Sequence, residues 1–150
     1  MRKLYLRSIP IIIFGFISLF TSGSIAKTTA VEKPVNKINV VIHVTQNGGR
    51  HYRAALNYAY VIRDEYGKEN VNIEIVANGP GIGLVNSNNK YGHSIKRLMN
   101  DGVRFSACNT TARYMREHQE LPIIENVKFV PYGVVRVLEL QRKGYLYLRP

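Results

Sequence analysis

The chain is predicted to fold as an α/β domain: a mostly parallel five-stranded sheet with helices on both faces. Two observations predict it. Short β-branched, apolar runs recur along residues 37–150, and stretches with helical spacing separate them. Gly, Pro and Asn stand at nearly every junction, so each element has a stop signal. The resulting order is β-α-β-α-β-α-β-α-β. Parallel neighbours need a crossover of this kind, and right-handed crossovers lay the helices against the sheet.

Taken in order, Ile38-Asn39-Val40-Val41-Ile42-His43-Val44 reads as a buried strand that stops at Gln46-Asn47-Gly48-Gly49. A helix follows, with Ala55, Tyr58, Ala59, Ile62 and Tyr66 on one face and Gly67 as its stop. Val71 to Ala77 is the second strand, ended by Asn78-Gly79-Pro80-Gly81. Ile82 to Asn89 reads as a mobile loop. Gly92 to Asp101 is helical, with Ile95, Leu98 and Met99 inward. Val103 to Ala107 is the third strand. A short helix begins at or just after Cys108, within reach of Asn109 or Thr110 as caps, and is over by Leu121-Pro122. Val127 to Val130 is the fourth strand, stopped by Pro131. Gly133 to Lys143 is the fourth helix, closed by Gly144, and Tyr145 to Leu148 is a final edge strand.

The first 26 residues have a different character. Arg2, Lys3 and Arg7 precede an apolar run from Ile9 to Phe20, and the small residues Thr21 to Ala26 follow. This is the layout of a secretory signal peptide, with Ser24 and Ala26 at the cleavage positions. An uncleaved N-terminal anchor is the alternative, although the run is short for a membrane span. Residues 27–36 read as a loose polar tail and residues 37–150 as the domain. The expected location is periplasmic or secreted, with no stable membrane insertion once the signal is removed.

The formal charge of the whole chain is +11, from 21 basic and 10 acidic residues. Three basic residues belong to the leader, which leaves 18 against 10, or +8. These charges are spread along the chain without the basic stripe or interleaved aromatics of a nucleic-acid reader, so no nucleic-acid partner is expected. A single cysteine excludes an intramolecular disulfide. In an exported protein it leaves a free thiol or an intermolecular bond.

In open parallel sheets ligands bind beyond the carboxyl ends of the strands. Here that edge collects Thr45, Asn78, Gly79, Gly81, Cys108, Asn109 and Thr110, with Pro131-Tyr132-Gly133 after the fourth strand. Cys108 sits where a strand hands over to a helix, where unpaired N–H groups and the helix dipole favour a thiolate. Strand alternation places Arg104, Ser106 and Cys108 opposite the more apolar Val103, Phe105 and Ala107. The plain alternative is a buried, inert cysteine, a common fate of free thiols. His43 reads as a satisfied core histidine. His51, His93 and His118 lack metal-ligand spacing, so no metal site is expected. NGPGIG lacks the arrangement of a phosphate or dinucleotide loop, and no cofactor is expected.

The segments VVIHVTQ, ALNYAYVIRDEYGKENVNIEIVANGPGIGLV, GVRFSACNTTAR and VKFVPYGVVRVLELQRKGYLYLRP, in this order and spacing, resemble the DsrE/DsrF-like family, above all its exported single-domain members. The resemblance runs from about Lys37 to the C-terminus. It implies a three-layer, flavodoxin-like fold and a homo-oligomer, trimer or hexamer. It also implies a possible sulfur-relay role in which Cys108 forms a persulfide and meets a sulfur donor or acceptor protein. Whether the chain is an enzyme stays open. The alternative function is a non-catalytic oligomeric module that holds a small anion or metabolite at the carboxyl edge of the sheet; a flavin carrier is a third reading.

Overall fold

Runs of Val and Ile favour extended backbone because branching at Cβ restricts χ1 and packs well on a pleated surface. In the computed structural model, which describes residues 37–150, these runs form five strands: β1 (Ile38–Val44), β2 (Val71–Ala77), β3 (Arg104–Cys108), β4 (Lys128–Val130) and β5 (Leu146–Leu148). The helices between them are α1 (Gly49–Tyr66), α2 (Gly92–Asn100), α3 (Asn109–His118) and α4 (Gly133–Arg142). The leader and the tail expected over residues 1–36 lie outside the described residues. No helix among the described residues is long and apolar enough to cross a membrane.

All strand pairs are parallel, in the order β4-β3-β2-β1-β5. The chain steps in one direction from β1 to β4 and then returns to the far side of β1. Right-handed crossovers must therefore place α1, α2 and α3 on one face and α4 on the other. The buried residues divide accordingly. Val40, Ile42 and Val44 of β1 pack with Tyr52, Ala55, Leu56 and Ala59 of α1, Ile95 and Leu98 of α2 and Ala112 of α3. Val41 and Val76 pack with Val137 and Leu140 of α4 in a much smaller cluster. The fold is the expected three-layer α/β arrangement of flavodoxin-like form.

Two local expectations are corrected. The inward face of α1 is Tyr52, Ala55, Leu56 and Ala59; Tyr58 and Tyr66 are 38% and 51% exposed. The segment after β2 is no loose loop. Gly79–Val85 forms a 3-10 helix whose Ile82, Leu84 and Val85 are fully buried, and Asn86 bridges to Ile123. This segment is drawn in because three apolar side chains complete the larger core. Gly81 permits it: a Cβ there would overlap the Val44 carbonyl.

Candidate functional site

The return of the chain from β4 to β5 creates the site. The connection after β3 runs to α3 on one face, whereas that after β4 runs to α4 on the other. A crevice opens between adjacent strands whose connections diverge in this way. Cys108 ends β3 at this point, paired with Val130 of β4. Two helices begin beside it. Asn109 is the first residue of α3 and Gly133 the first of α4.

Cys108 is buried, and burial alone pushes its thiol pKa up. Four donors outweigh that effect and lower it: the Thr111 hydroxyl, and the backbone N–H groups of Thr111, Gly133 and Thr110. Three of these groups lie in the first turn of α3 and one at the start of α4, so amides of two helix ends converge on one sulfur, the Thr110 N–H being shared with the Pro131 carbonyl at 3.4 Å. The protonated thiol faces the Pro131 carbonyl at 3.9 Å, a long contact.

The approach of α4 depends on Gly133. A Cβ at this position would lie 2.7 Å from Asn78 Cβ and 3.2 Å from Cys108 Cβ. Asn78 is held in turn from β1. His43 Nε2 donates to Asn78 Oδ1 at 2.9 Å, and the Tyr147 hydroxyl donates to His43 Nδ1 at 3.1 Å. An amide oxygen only accepts, which fixes the proton on Nε2. Burial, its largest influence, lowers the His43 pKa, so the ring is a neutral strut. The Gly79 N–H donates to Thr111 Oγ1 at 3.1 Å, which leaves the Thr111 hydroxyl hydrogen for the sulfur.

The residues expected at this edge thus separate. Cys108, Asn78, Gly79 and Thr110 lie together at the divergence of β3 and β4, and Thr110 Oγ1 also donates to the Pro131 carbonyl at 3.1 Å. Asn109 is exposed and Thr110 lies inside α3, so neither caps the helix; Cys108 itself holds the N-cap position. Gly81 packs against the end of β1 away from the sulfur. The Thr45 hydroxyl is buried without a partner, and Thr45 is not among the groups acting on Cys108. Thr111 and His43 are site residues beyond those expected, and Gly133, expected only as part of the loop after the fourth strand, proves to touch Cys108. Thr111 has a legible signal: it stands three residues after the N-cap, where a helix amide and side chain turn back toward the cap.

No family model and no curated protein matches the chain. Solved structures do. The protein of unknown function MTH1491 from Methanobacterium thermoautotrophicum is 26% identical, with a TM-score of 0.69, over 76% of this chain and 100% of that one. The YchN protein from E. coli is 17% identical, with a TM-score of 0.53, over 77% of this chain and 99% of its own. Both neighbours are of the DsrE/DsrF-like fold family. The chain shares this fold, and its likeness to YchN speaks for the fold alone.

Proposed function

We propose that the protein is a sulfur carrier in which Cys108 forms a persulfide. The observation that carries this reading is the set of four donors around one buried sulfur at the divergence of β3 and β4. A thiolate held by amide and hydroxyl donors is a ready nucleophile. With thiosulfate as donor, the Cys108 thiolate attacks the sulfane sulfur. A new S–S bond forms, the bond from that sulfur to the sulfonate sulfur breaks, and sulfite leaves with the electron pair. The terminal persulfide sulfur then carries the negative charge, and the same donors stabilise it. An acceptor thiolate attacking the terminal sulfur restores Cys108. No proton or outside oxidant is required in either step.

The partners in this reading are a sulfur donor or acceptor protein and further copies of the chain. On α4, Val134, Val135 and Leu138 are exposed, as are Tyr132 beside it and Phe129 and Tyr147 at the sheet edges. Covering them in a trimer or hexamer would remove a sizeable apolar surface from water. The reading keeps the protein periplasmic or secreted, on the strength of residues 1–26.

Intact mass of the reduced protein after exposure to thiosulfate or polysulfide tests the reading. The folded protein gains one or more sulfur atoms at Cys108, and Cys108→Ser gains none. No gain, or equal gain by the denatured chain, rejects it.

A second reading has its own support. A cavity of about 300 Å3 on the carboxyl edge is lined by Asn47, Tyr52, Asn86, Asn89 and Gln119 among others, and Cys108 does not line it. A small polar metabolite held there needs no thiol. Ligands that raise the melting temperature of wild type and Cys108→Ser equally would favour this module.

A further inference from the structure

On the face of the sheet that α4 covers, β2 places a carboxylate in a mostly apolar strand. Glu74 is almost fully buried. Arg136 of α4 binds it with both ends of its fork, Nε to Oε1 and Nη2 to Oε2, each at 2.8 Å. Ser106 Oγ donates to Oε1 at 2.8 Å, and Arg104 Nε donates to Oε2 at 3.2 Å. Arg104 also donates to the Tyr145 hydroxyl at 2.7 Å, and Arg136 to Glu139 at 3.2 Å. These contacts hold the Glu74 pKa down against burial.

Stability alone does not call for such a cluster. A buried ion pair often adds no more than well-packed apolar side chains in its place, whereas a bidentate pair defines an orientation. The apolar anchoring of α4 is slight: Val137 and Leu140 against Val41, Val76 and Tyr145. Such contacts tolerate sliding. Arg136 lies three residues after Gly133, about 4.5 Å along the helix axis. Ser106, which shares Glu74, lies two residues before Cys108 on the same face of β3. Both ends of the brace are thus one step from the sulfur.

We infer that Glu74 and Arg136 are positioning residues that hold the first turn of α4, and with it the Gly133 N–H, against the Cys108 sulfur. This rests on the reading of Cys108 as the reactive thiol. The charged and titratable groups facing this cluster include Glu74 of β2, Arg104 of β3, Lys128 of β4, Arg136 and Glu139 of α4, His43 of β1, and Tyr145, Tyr147 and Arg149 in and beside β5.

Glu74→Gln separates positioning from plain electrostatics by sign. Removing a nearby negative charge stabilises the thiolate through space. Loosening α4 withdraws a donor and destabilises it. Arg136→Lys keeps the charge, loses the fork and sits at a partly exposed position, so it serves where the buried substitution fails to fold. The measurement is the pH–rate profile of Cys108 alkylation by iodoacetamide, with folding checked by circular dichroism. Positioning predicts that the ionisation midpoint moves up in both variants, with a fall of about threefold or more in thiolate fraction at neutral pH. A merely structural pair would lower the melting temperature and leave the midpoint in place. A depressed wild-type midpoint that stays put or falls in the folded variants overturns this inference alone. A wild-type midpoint at the ordinary thiol value overturns the reactive-thiol reading together with it.

Discussion

Replacing Gly133 by alanine puts a methyl group where Asn78 Cβ would be 2.7 Å away and Cys108 Cβ 3.2 Å away. Carbon atoms in ordinary contact sit about 3.5–4.0 Å apart, so the start of α4 must retreat by about an ångström. Neither neighbour can yield by rotating, because each is the Cβ of its residue. Overpacking of this kind costs about 1–3 kcal/mol. The better helix propensity of alanine returns at most about 1 kcal/mol. The net loss, about 1–2 kcal/mol, lowers the melting temperature by roughly 3–8 °C for a domain of this size. The chemical effect is the sharper one. The Gly133 N–H withdraws from the sulfur, and a hydrogen bond to a charged group is worth about 1.5–3 kcal/mol. Losing half of it cuts the thiolate fraction at neutral pH by about fivefold. Thermal melting and the pH dependence of Cys108 alkylation read the two effects separately. An alanine variant that melts lower but ionises like wild type would refute the idea that α4 activates the thiol.

Three further outcomes are expected. Thr111→Val removes the hydroxyl that faces the sulfur and strips the Gly79 N–H of its acceptor; alkylation slows at neutral pH, and chemical denaturation shows a loss of about 1–3 kcal/mol. Glu74→Ala leaves Arg136 and Arg104 without their carboxylate and costs about 3 kcal/mol near neutrality. Because the folded-state pKa of Glu74 is depressed, its contribution is fully present above the ordinary carboxyl value and lost as pH falls through the folded value, so denaturation curves of variant and wild type converge in strong acid. Cys108 follows the same sign: its stabilising contribution is complete above the ordinary thiol value of about 8.5 and lost as pH falls through the lower folded value. The stability of wild type relative to Cys108→Ser therefore rises with pH across that window, and a pH-independent difference would count against a depressed thiol.

Much of the architecture was legible because the signals are local. The run from Ile38 to Val44 and the NGPG stop after Ala77 declare a strand and its end within a few residues. Alternation correctly placed Phe105 and Ala107 in the main core and Ser106 on the opposite face. The α1 face was misjudged because Tyr58 and Tyr66 fit the helical period as well as Tyr52 and Leu56 do, and only the position of the sheet distinguishes them. The stretch from Gly79 to Val85 has neither period, so nothing local announced that the core would bury it.

The sequence by itself determined the order and type of the elements, and it set the lone cysteine at a strand-to-helix junction, because periodicity, β-branching and turn chemistry act over a few residues. Only the tertiary structure decided what surrounds that cysteine. The return of β5 to the far side of β1 puts α4 alone on the second face and brings Gly133, 25 positions later in the chain, against Cys108. The same packing joins Glu74 to Arg136 across 62 positions and Asn78 to His43 across 35. Such pairings follow from strand order and crossover handedness, which no short segment encodes.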